Sequence, residues 1–338
     1  MTPEPSLLSL EAARALVVDA LVACGATPDS AASVARALVA AEVDGQVGHG
    51  LSRVPSYAAQ LLSGKVDGRA VPSIERVAPA VLRVDAGLGF AYPAFDRVTE
   101  TLPDVARECG LALAAIVRSH HFGQAGAHCE RLAEEGLIAF VFGNTPKAMA
   151  PWGGRMPLLG TNPIAFAAPM PTDAPLVIDL ALSRVARGRV LAAEKAGTAI
   201  PEGWALDTSG SPTTDPRAAL EGTMIPIGEA KGAALALMVE VMSAALVGAN
   251  FAFEASSFLD TAGPPPSVGQ TVIAIDAERV SSGAFTDRMA ILARAFEAEP
   301  GVRLPGSKRF ALRAKAQREG LSVPPSLLAE IRALAGRT

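Results

Sequence analysis

Four histidines, His49, His120, His121 and His128, are the side chains here whose ordinary pKa lies closest to neutrality. His49 stands between Gly48 and Gly50, inside a run from Asp44 to Gly50 that interrupts helical patterning. Glycines on both sides allow the backbone to approach a ligand and the ring to project from a loop. Arg53 follows four residues later, within about one helical turn. Such a pair suits a carboxylate substrate: the guanidinium fork holds the carboxylate while the imidazole gives a proton to a carbonyl oxygen. The same spacing also suits a histidine that caps a helix beside a solvated arginine.

A second group lies in Ser119-His120-His121-Phe122-Gly123-Gln124-Ala125-Gly126, between a predicted strand and a predicted helix. Peptide N–H groups at such a junction suit an anion such as a pyrophosphate, and a plain polar turn fits equally well. His128, within the helix that follows, reads as structural. Asp179, at the end of a predicted strand, suits either ribose hydroxyls or a helix N-terminus. Arg184, Arg187 and Arg189 crowd the next turn, and Lys231-Gly232 opens a long apolar helix. Gly-x-Gly-x-x-Gly is absent, since Tyr92 stands where Gly87-x-Gly89 needs its third glycine. A dinucleotide, if bound, is therefore not expected on a Rossmann loop. No Walker loop, Gly-x-Ser-x-Gly or metal-ligand spacing occurs, so no metal is expected.

The elements that must position these groups follow from pattern and punctuation. Helices are predicted over 10–24 with Ser9 as N-cap, from Thr27-Pro28-Asp29 to Val43, and over 52–63. Strand character runs over 74–85, 111–117, 137–142, 176–180 and 271–275, with helices over 94–109, 124–135, 230–246 and 325–335. Alternating strands and helices indicate an α/β core. Residues 1–70 read as an N-terminal helical region carrying the His49 segment, 71–310 as the α/β cofactor- and substrate-binding core, and 311–338 as a C-terminal helical segment.

Half of the 338 residues are apolar, ample for a large core. Net charge is −4 with no basic run, so nucleic acid is not an expected partner. Three scattered cysteines fit a reducing, cytoplasmic setting. The start Met1-Thr2-Pro3-Glu4 lacks the basic region of a signal peptide, and the apolar run near 233–249 is broken by Glu240, so no membrane span is expected.

Taken in order, the motifs resemble one family. Asp44-Gly45-x-x-Gly48-His49-Gly50-x-x-Arg53-x-x-x-Tyr57 is similar to the first signature of the malate/L-lactate dehydrogenase family, which also includes sulfolactate, ureidoglycolate and diketogulonate dehydrogenases and cyclic imine reductases. Ser119-x-His121-Phe122-Gly123, Pro151-x-Gly153-Gly154, Leu159-Gly160-Thr161-Asn162-Pro163, Asp179-Leu180-Ala181-x-Ser183, Ile200-Pro201-x-Gly203-Trp204, Lys231-Gly232 and Pro305-Gly306 continue the match. The segment around His49 looks closest to sulfolactate dehydrogenases.

The resemblance implies a non-Rossmann α/β fold of the malate/L-sulfolactate dehydrogenase type, a homodimer, and NAD or NADP as cofactor. The implied activity is hydride exchange between nicotinamide and the 2-carbon of a small anionic 2-hydroxy or 2-oxo acid of malate, lactate or sulfolactate type. The alternative is reduction of cyclic imines such as piperideine- or pyrroline-2-carboxylate. His49 would be the general acid, with His121 as second choice. Arg53 and Thr161 would hold the substrate carboxylate. His121, Phe122, Gly123, Gln124, Ala125, Asp179, Leu180, Ala181, Lys231, Gly232, Leu304, Pro305, Gly306, Ser307 and Lys308 would contact the cofactor. Two positions depart from the family. Gly48 stands where a serine is common, and Arg189 aligns with an aspartate of the imine reductases. A cation there favours a second negative charge on the substrate, which Arg187 and Arg189 would meet.

Overall fold

The computed structural model describes residues 6–172 and 174–337; the reading of Met1 to Glu4 lies outside them. A short strand β1 (Ser6–Leu8) precedes α1 (Leu10–Ala23) and α2 (Pro28–Val43). Ser9 Oγ accepts from the Ala12 N–H at 3.1 Å, and Thr27 Oγ1 from the Ser30 N–H at 3.3 Å. Both caps satisfy first-turn donors that a helix leaves open. The predicted helix over 52–63 begins later, as α3 (Val54–Leu62), because the chain enters it through two 3₁₀ turns, Val47–His49 and Leu51–Arg53.

The strand character over 74–85 resolves into a hairpin, β2 (Ser73–Ala78) and β3 (Val81–Asp85). Pro79 has no N–H to donate and divides the run. Then come α4 (Ala91–Cys109), β4 (Leu111–Ser119), α5 (Ala125–Glu134), β5 (Leu137–Gly143), β6 (Ile164–Ala168) and β7 (Leu176–Leu180). The middle of the chain forms α6 (Arg187–Ala196), a small sheet of β8 (Ala205–Leu206), β9 (Pro212–Thr213) and β10 (Thr223–Met224), and α7 (Pro216–Glu221). The long apolar helix is α8 (Ala230–Glu240), continued by a π-helical turn over Val241–Ala245. Beyond it lie β11 (Val268–Asp276), α9 (Ala277–Val280), α10 (Phe285–Glu297), α11 (Lys308–Glu319), β12 (Leu321–Val323) and α12 (Pro325–Leu334).

The main sheet has the order β2-β3-β4-β11-β5-β6-β7. Only β3 and β4 are parallel neighbours. The fold is α/β but not doubly wound, because β11, from late in the chain, inserts antiparallel between β4 and β5. Its first five residues are all buried, as a central strand covered on both faces requires. One apolar core lies between this sheet and α4 and α5. A second joins α1, α2 and α3 to Leu321, Val323, Leu328 and Ile331, so the C-terminal segment packs into the N-terminal helical region. The pairing of β1 with β12 reinforces that closure. A third core holds residues 148–239. Among the described residues, no helix is long and apolar enough to cross a membrane, and no cluster of three potential metal ligands occurs.

Candidate active site

Strand directions bring distant segments to one edge. Both β4 and β5 run antiparallel to β11, and β7 runs antiparallel to β6, itself antiparallel to β5. The C-terminal ends of β4, β5 and β7 and the start of β6 therefore share one side of the sheet. His120 and His121, Asn144 and Thr145, Thr161 and Asn162, and Asp179 to Ala181 all emerge there.

The 3₁₀ turn carrying His49 docks on this edge. His49 Nδ1 lies 3.2 Å from His121 Nε2, and the rings stack with centroids 5.2 Å apart. His121 Nδ1 meets the Tyr57 hydroxyl at 2.5 Å, and that hydroxyl meets Tyr92 Oη at 3.0 Å. Tyr57 and Tyr92 are buried, and burial pushes the Tyr57 phenol up to about 12. Burial first, and the Arg53 charge second, hold His49 down at about 4 and His121 well below the ordinary histidine range. At neutral pH both rings are uncharged. Gly50 is required for this approach, because a Cβ there would sit 2.1 Å from Glu42 Oε2, which accepts the Leu51 N–H at 2.8 Å.

Gly48 is different, since nothing lies within 4 Å of where its Cβ would be. The hydroxyl common in the family is thus not excluded by space, and His49 Nδ1 is already engaged by His121. Gly48→Ser is expected to fold normally and to keep kcat within about threefold, an exposed substitution far from strained packing. A drop of tenfold or more in steady-state turnover would show that the small residue itself matters.

Arg53 is anchored at one end only. Its Nε donates to the Gly48 carbonyl at 2.7 Å, while Nη1 is buried without a partner among the described residues. A buried guanidinium nitrogen left open beside two neutral imidazoles is a place for an anion. Thr161 sits on the same edge, its N–H donating to Thr145 Oγ1 at 2.9 Å and its hydroxyl 3.2 Å from that oxygen. Asn162 next to it adopts φ 40° and donates to the Ala236 carbonyl and to Glu240 Oε1. Glu240, which in the sequence only interrupts an apolar run, also accepts from the Ala252 N–H at 3.1 Å and from Asn144 Nδ2 at 3.3 Å, and so ties three loops together.

The roof over the histidines is Phe258, whose ring lies 5.1 Å from His120 and 5.4 Å from His121. The buried Lys65 Nζ donates to the carbonyls of Ser257, Asp260 and Ala262, and Gln60 Nε2 to that of Phe258, which fixes the loop. His120 is enclosed by Tyr57, Phe90 and Phe258, and neither ring nitrogen has a partner among the described residues. His128 donates to or accepts from nothing in the site: its Nε2 lies 2.8 Å from the Phe122 carbonyl, and its ring stacks on Phe95.

A cavity of about 320 Å³ opens beside this centre, within the range of small-ligand sites. Gln124, Asp179, Leu180, Pro305, Gly306 and Lys308 line it. Gln124 Oε1 and Arg309 Nε are buried there without partners among the described residues, which fits a polar occupant. Asp179 Oδ2 accepts the Gly126 N–H at 2.8 Å, so the carboxylate already fills one donor at the start of α5, where a pyrophosphate was the expected anion. Burial raises the Asp179 pKa. The bridge Ser183–Pro226 ties the segment after β7 to the approach to α8, where Lys231 is exposed and does not line the cavity. A Cβ at Gly232 would fall 1.8 Å from the Ile227 carbonyl oxygen. Residues 304–308 are held by Arg309 and Arg313 on Glu130, and Arg313 also grips Asp44, which accepts from Gln124. Asp44 therefore serves the signature as a tie between α2, α5 and α11.

Arg187 and Arg189 are not brought to the histidines within one chain. Arg187 Nη2 meets the Leu220 carbonyl at 3.4 Å, and Arg189 lines a separate cavity with Ile200, Pro201 and Trp204. Neither pairs with a carboxylate among the described residues. Tyr92, Thr145, Lys65, Phe258 and Glu240 are site-forming residues that sequence reasoning did not single out. Only the lysine and the glutamate in apolar surroundings carried any signal.

The model of the malate/L-lactate dehydrogenase family matches residues 8–332. The chain belongs to this family and is an NAD(P)-dependent oxidoreductase. It is 53% identical over 329 residues, 97% of this chain and 98% of the other, to the (2R)-3-sulfolactate dehydrogenase (NADP(+)) of Chromohalobacter salexigens. It is 40% identical, over 99% of both chains, to a Delta(1)-pyrroline-2-carboxylate reductase of Ancylobacter novellus. The solved delta1-piperideine-2-carboxylate reductase of Pseudomonas syringae superposes with a TM-score of 0.92 at 38% identity, covering 97% of this chain and 99% of that one.

Proposed function

We propose that the chain reduces a small 2-oxo acid bearing a second negative charge, of the 3-sulfolactate type, with NADPH as donor, and oxidises the corresponding hydroxy acid in reverse. The observation that carries the reading is the buried, unpartnered Nη1 of Arg53 next to the neutral His49–His121 pair. Arg53 and Thr161 bind and orient the substrate carboxylate, and His49 holds the proton for the carbonyl oxygen. His121 holds His49, while Gln124, Asp179, Lys231 and residues 304–308 bind the cofactor, which supplies the hydride when bound. Arg187 and Arg189, without carboxylate partners among the described residues, lie apart from this centre within one chain, so they meet the second anion of the substrate only across a homodimer. Support for that anion and for NADP comes from the 53% identical relative and from the cationic run at α6.

The working unit is a homodimer in the cytoplasm. Leu235, Leu237, Met238, Val241 and Leu246 expose an apolar stretch along α8 and its continuation, a surface that a second copy would bury. The free, exposed thiol of Cys109 suits a reducing compartment.

A substrate panel tests the reading: sulfopyruvate, oxaloacetate, pyruvate and the two cyclic imines, each with NADH and NADPH. Sulfopyruvate with NADPH is expected to give the highest kcat/KM, by about tenfold or more over pyruvate, as a desolvated charge pair commands. Strong turnover of the imines with none of the 2-oxo acids reverses the assignment.

A further inference from the structure

His49 presents a difficulty as a proton donor. Its ring is neutral at pH 7, held there by burial and Arg53. If it gave up its only N–H unaided it would become imidazolate, a stronger base than phenolate. The structure places a directed chain of groups behind it. We propose that Tyr57, backed by Tyr92 and acting through His121, fixes the tautomer of His49 and passes protons forward to it. Tyr57 and Tyr92 are thus positioning residues for reduction, an inference that rests on His49 being the proton donor.

The direction follows from the distances. Tyr57 has one hydroxyl proton and two possible acceptors, His121 Nδ1 at 2.5 Å and Tyr92 Oη at 3.0 Å. An imidazole nitrogen is the stronger acceptor and the closer one, so Tyr57 donates to His121 and Tyr92 donates to Tyr57. With Nδ1 accepting, His121 carries its proton on Nε2, 3.2 Å from His49 Nδ1. His49 then accepts at Nδ1 and carries its own proton on Nε2, the nitrogen facing away from His121.

The proton and electron balance closes along this chain. The carbonyl carbon takes the hydride supplied by the reduced nicotinamide, a C–H bond forms, and the C=O π pair becomes a lone pair on oxygen. That oxygen takes the proton of His49 Nε2. His49 Nδ1 takes the proton of His121 Nε2, and His121 Nδ1 takes that of Tyr57. The deficit rests on the Tyr57 oxygen, where burial opposes the charge and holds the phenol up at about 12, while the Arg53 guanidinium and the hydrogen bond from Tyr92 offset a part of that. An alkoxide is a stronger base than a phenolate, so the overall transfer runs downhill. After product leaves, water returns one proton to His49 Nε2 and the chain resets. Both tyrosines lie in the signature core beside Phe90, shielded from other donors.

Tyr57→Phe keeps the ring and removes the proton. It is expected to lower kcat about 100-fold, with KM for the 2-oxo acid and cofactor Kd within about twofold. Tyr92→Phe is expected to lower kcat about tenfold, since Tyr57 keeps its proton but loses the bond that supports its phenolate. Single-turnover rates in H2O–D2O mixtures are expected to curve for the native enzyme and to become linear in Tyr57→Phe. Fluorescence titration with NADPH reports whether each variant is folded. Loss of NADPH binding in Tyr57→Phe transfers the decision to Tyr92→Phe. Turnover of Tyr57→Phe within threefold of native, or a change in KM alone, overturns the relay. If His49→Ala is inactive while Tyr57→Phe is active, only the relay falls; if His49→Ala stays active, the reading of His49 falls with it.

Discussion

Replacing His49 with alanine lowers kcat for 2-oxo acid reduction by about 10³-fold, while cofactor affinity stays within about twofold. The reasoning is local. His49 is held by one ring nitrogen on His121, and its turn is fixed independently by Glu42 on the Leu51 N–H and by Arg53 on the Gly48 carbonyl. Removing the imidazole therefore leaves the loop, the carboxylate-binding guanidinium and the cofactor cavity in place. What disappears is the donor to the oxygen on which charge develops, an interaction made in the transition state. Such a loss lowers kcat and kcat/KM together. Single-turnover hydride transfer, followed by nicotinamide absorbance, reads it directly. Turnover within tenfold of native would sink the assignment of His49 and direct attention to His121.

Acidification from pH 7 to pH 5 destabilises the fold by about 6 kcal/mol through His120, His121 and His128, at about 2 kcal/mol each, and His49, held down at about 4, adds in the same direction. His120, His121 and His128 are almost fully buried and are held neutral by burial, His120 at about 3 and His128 at about 4. Their folded-state values lie below the unfolded value near 6.5. Below that pH the unfolded chain binds protons that the folded chain refuses, so stability is full above about pH 7 and falls as pH drops toward 4. Glu42 and Asp179, whose carboxyls are raised by burial, offset a part of this. Asp96, held low by Ser33 and Arg131 against its own burial, titrates below the window. Urea midpoints at pH 7, 6 and 5 check the slope, and a midpoint unchanged across that range contradicts it.

The chemistry-bearing residues were legible before the fold was known, because local geometry demands particular residue types. Gly50 is a glycine since Glu42 fills the space beside it, and Ser9 and Thr27 announce their helices since exposed first-turn donors need a side-chain acceptor. The hairpin over 73–85 was hidden because apolar alternation continues across Pro79. The insertion of β11 between β4 and β5 was equally hidden: an apolar run signals burial on both faces and carries no label for its neighbours.

The sequence by itself therefore determined which groups this protein has available: a histidine between glycines, an arginine one turn on, a carboxylate and a lysine at element ends, and the family they imply. The tertiary structure decided which of them act together. It set Arg53 with an open, buried nitrogen beside His49, stacked His49 on His121, and placed Tyr57 and Tyr92 behind that pair. It also left Arg187 and Arg189 apart from the histidines of their own chain. The reason is physical. Spacing along a helix or turn fixes contacts over a few residues, whereas the 72-residue separation of His49 from His121 is closed only by the shared edge of the sheet and the burial of the helices docked against it.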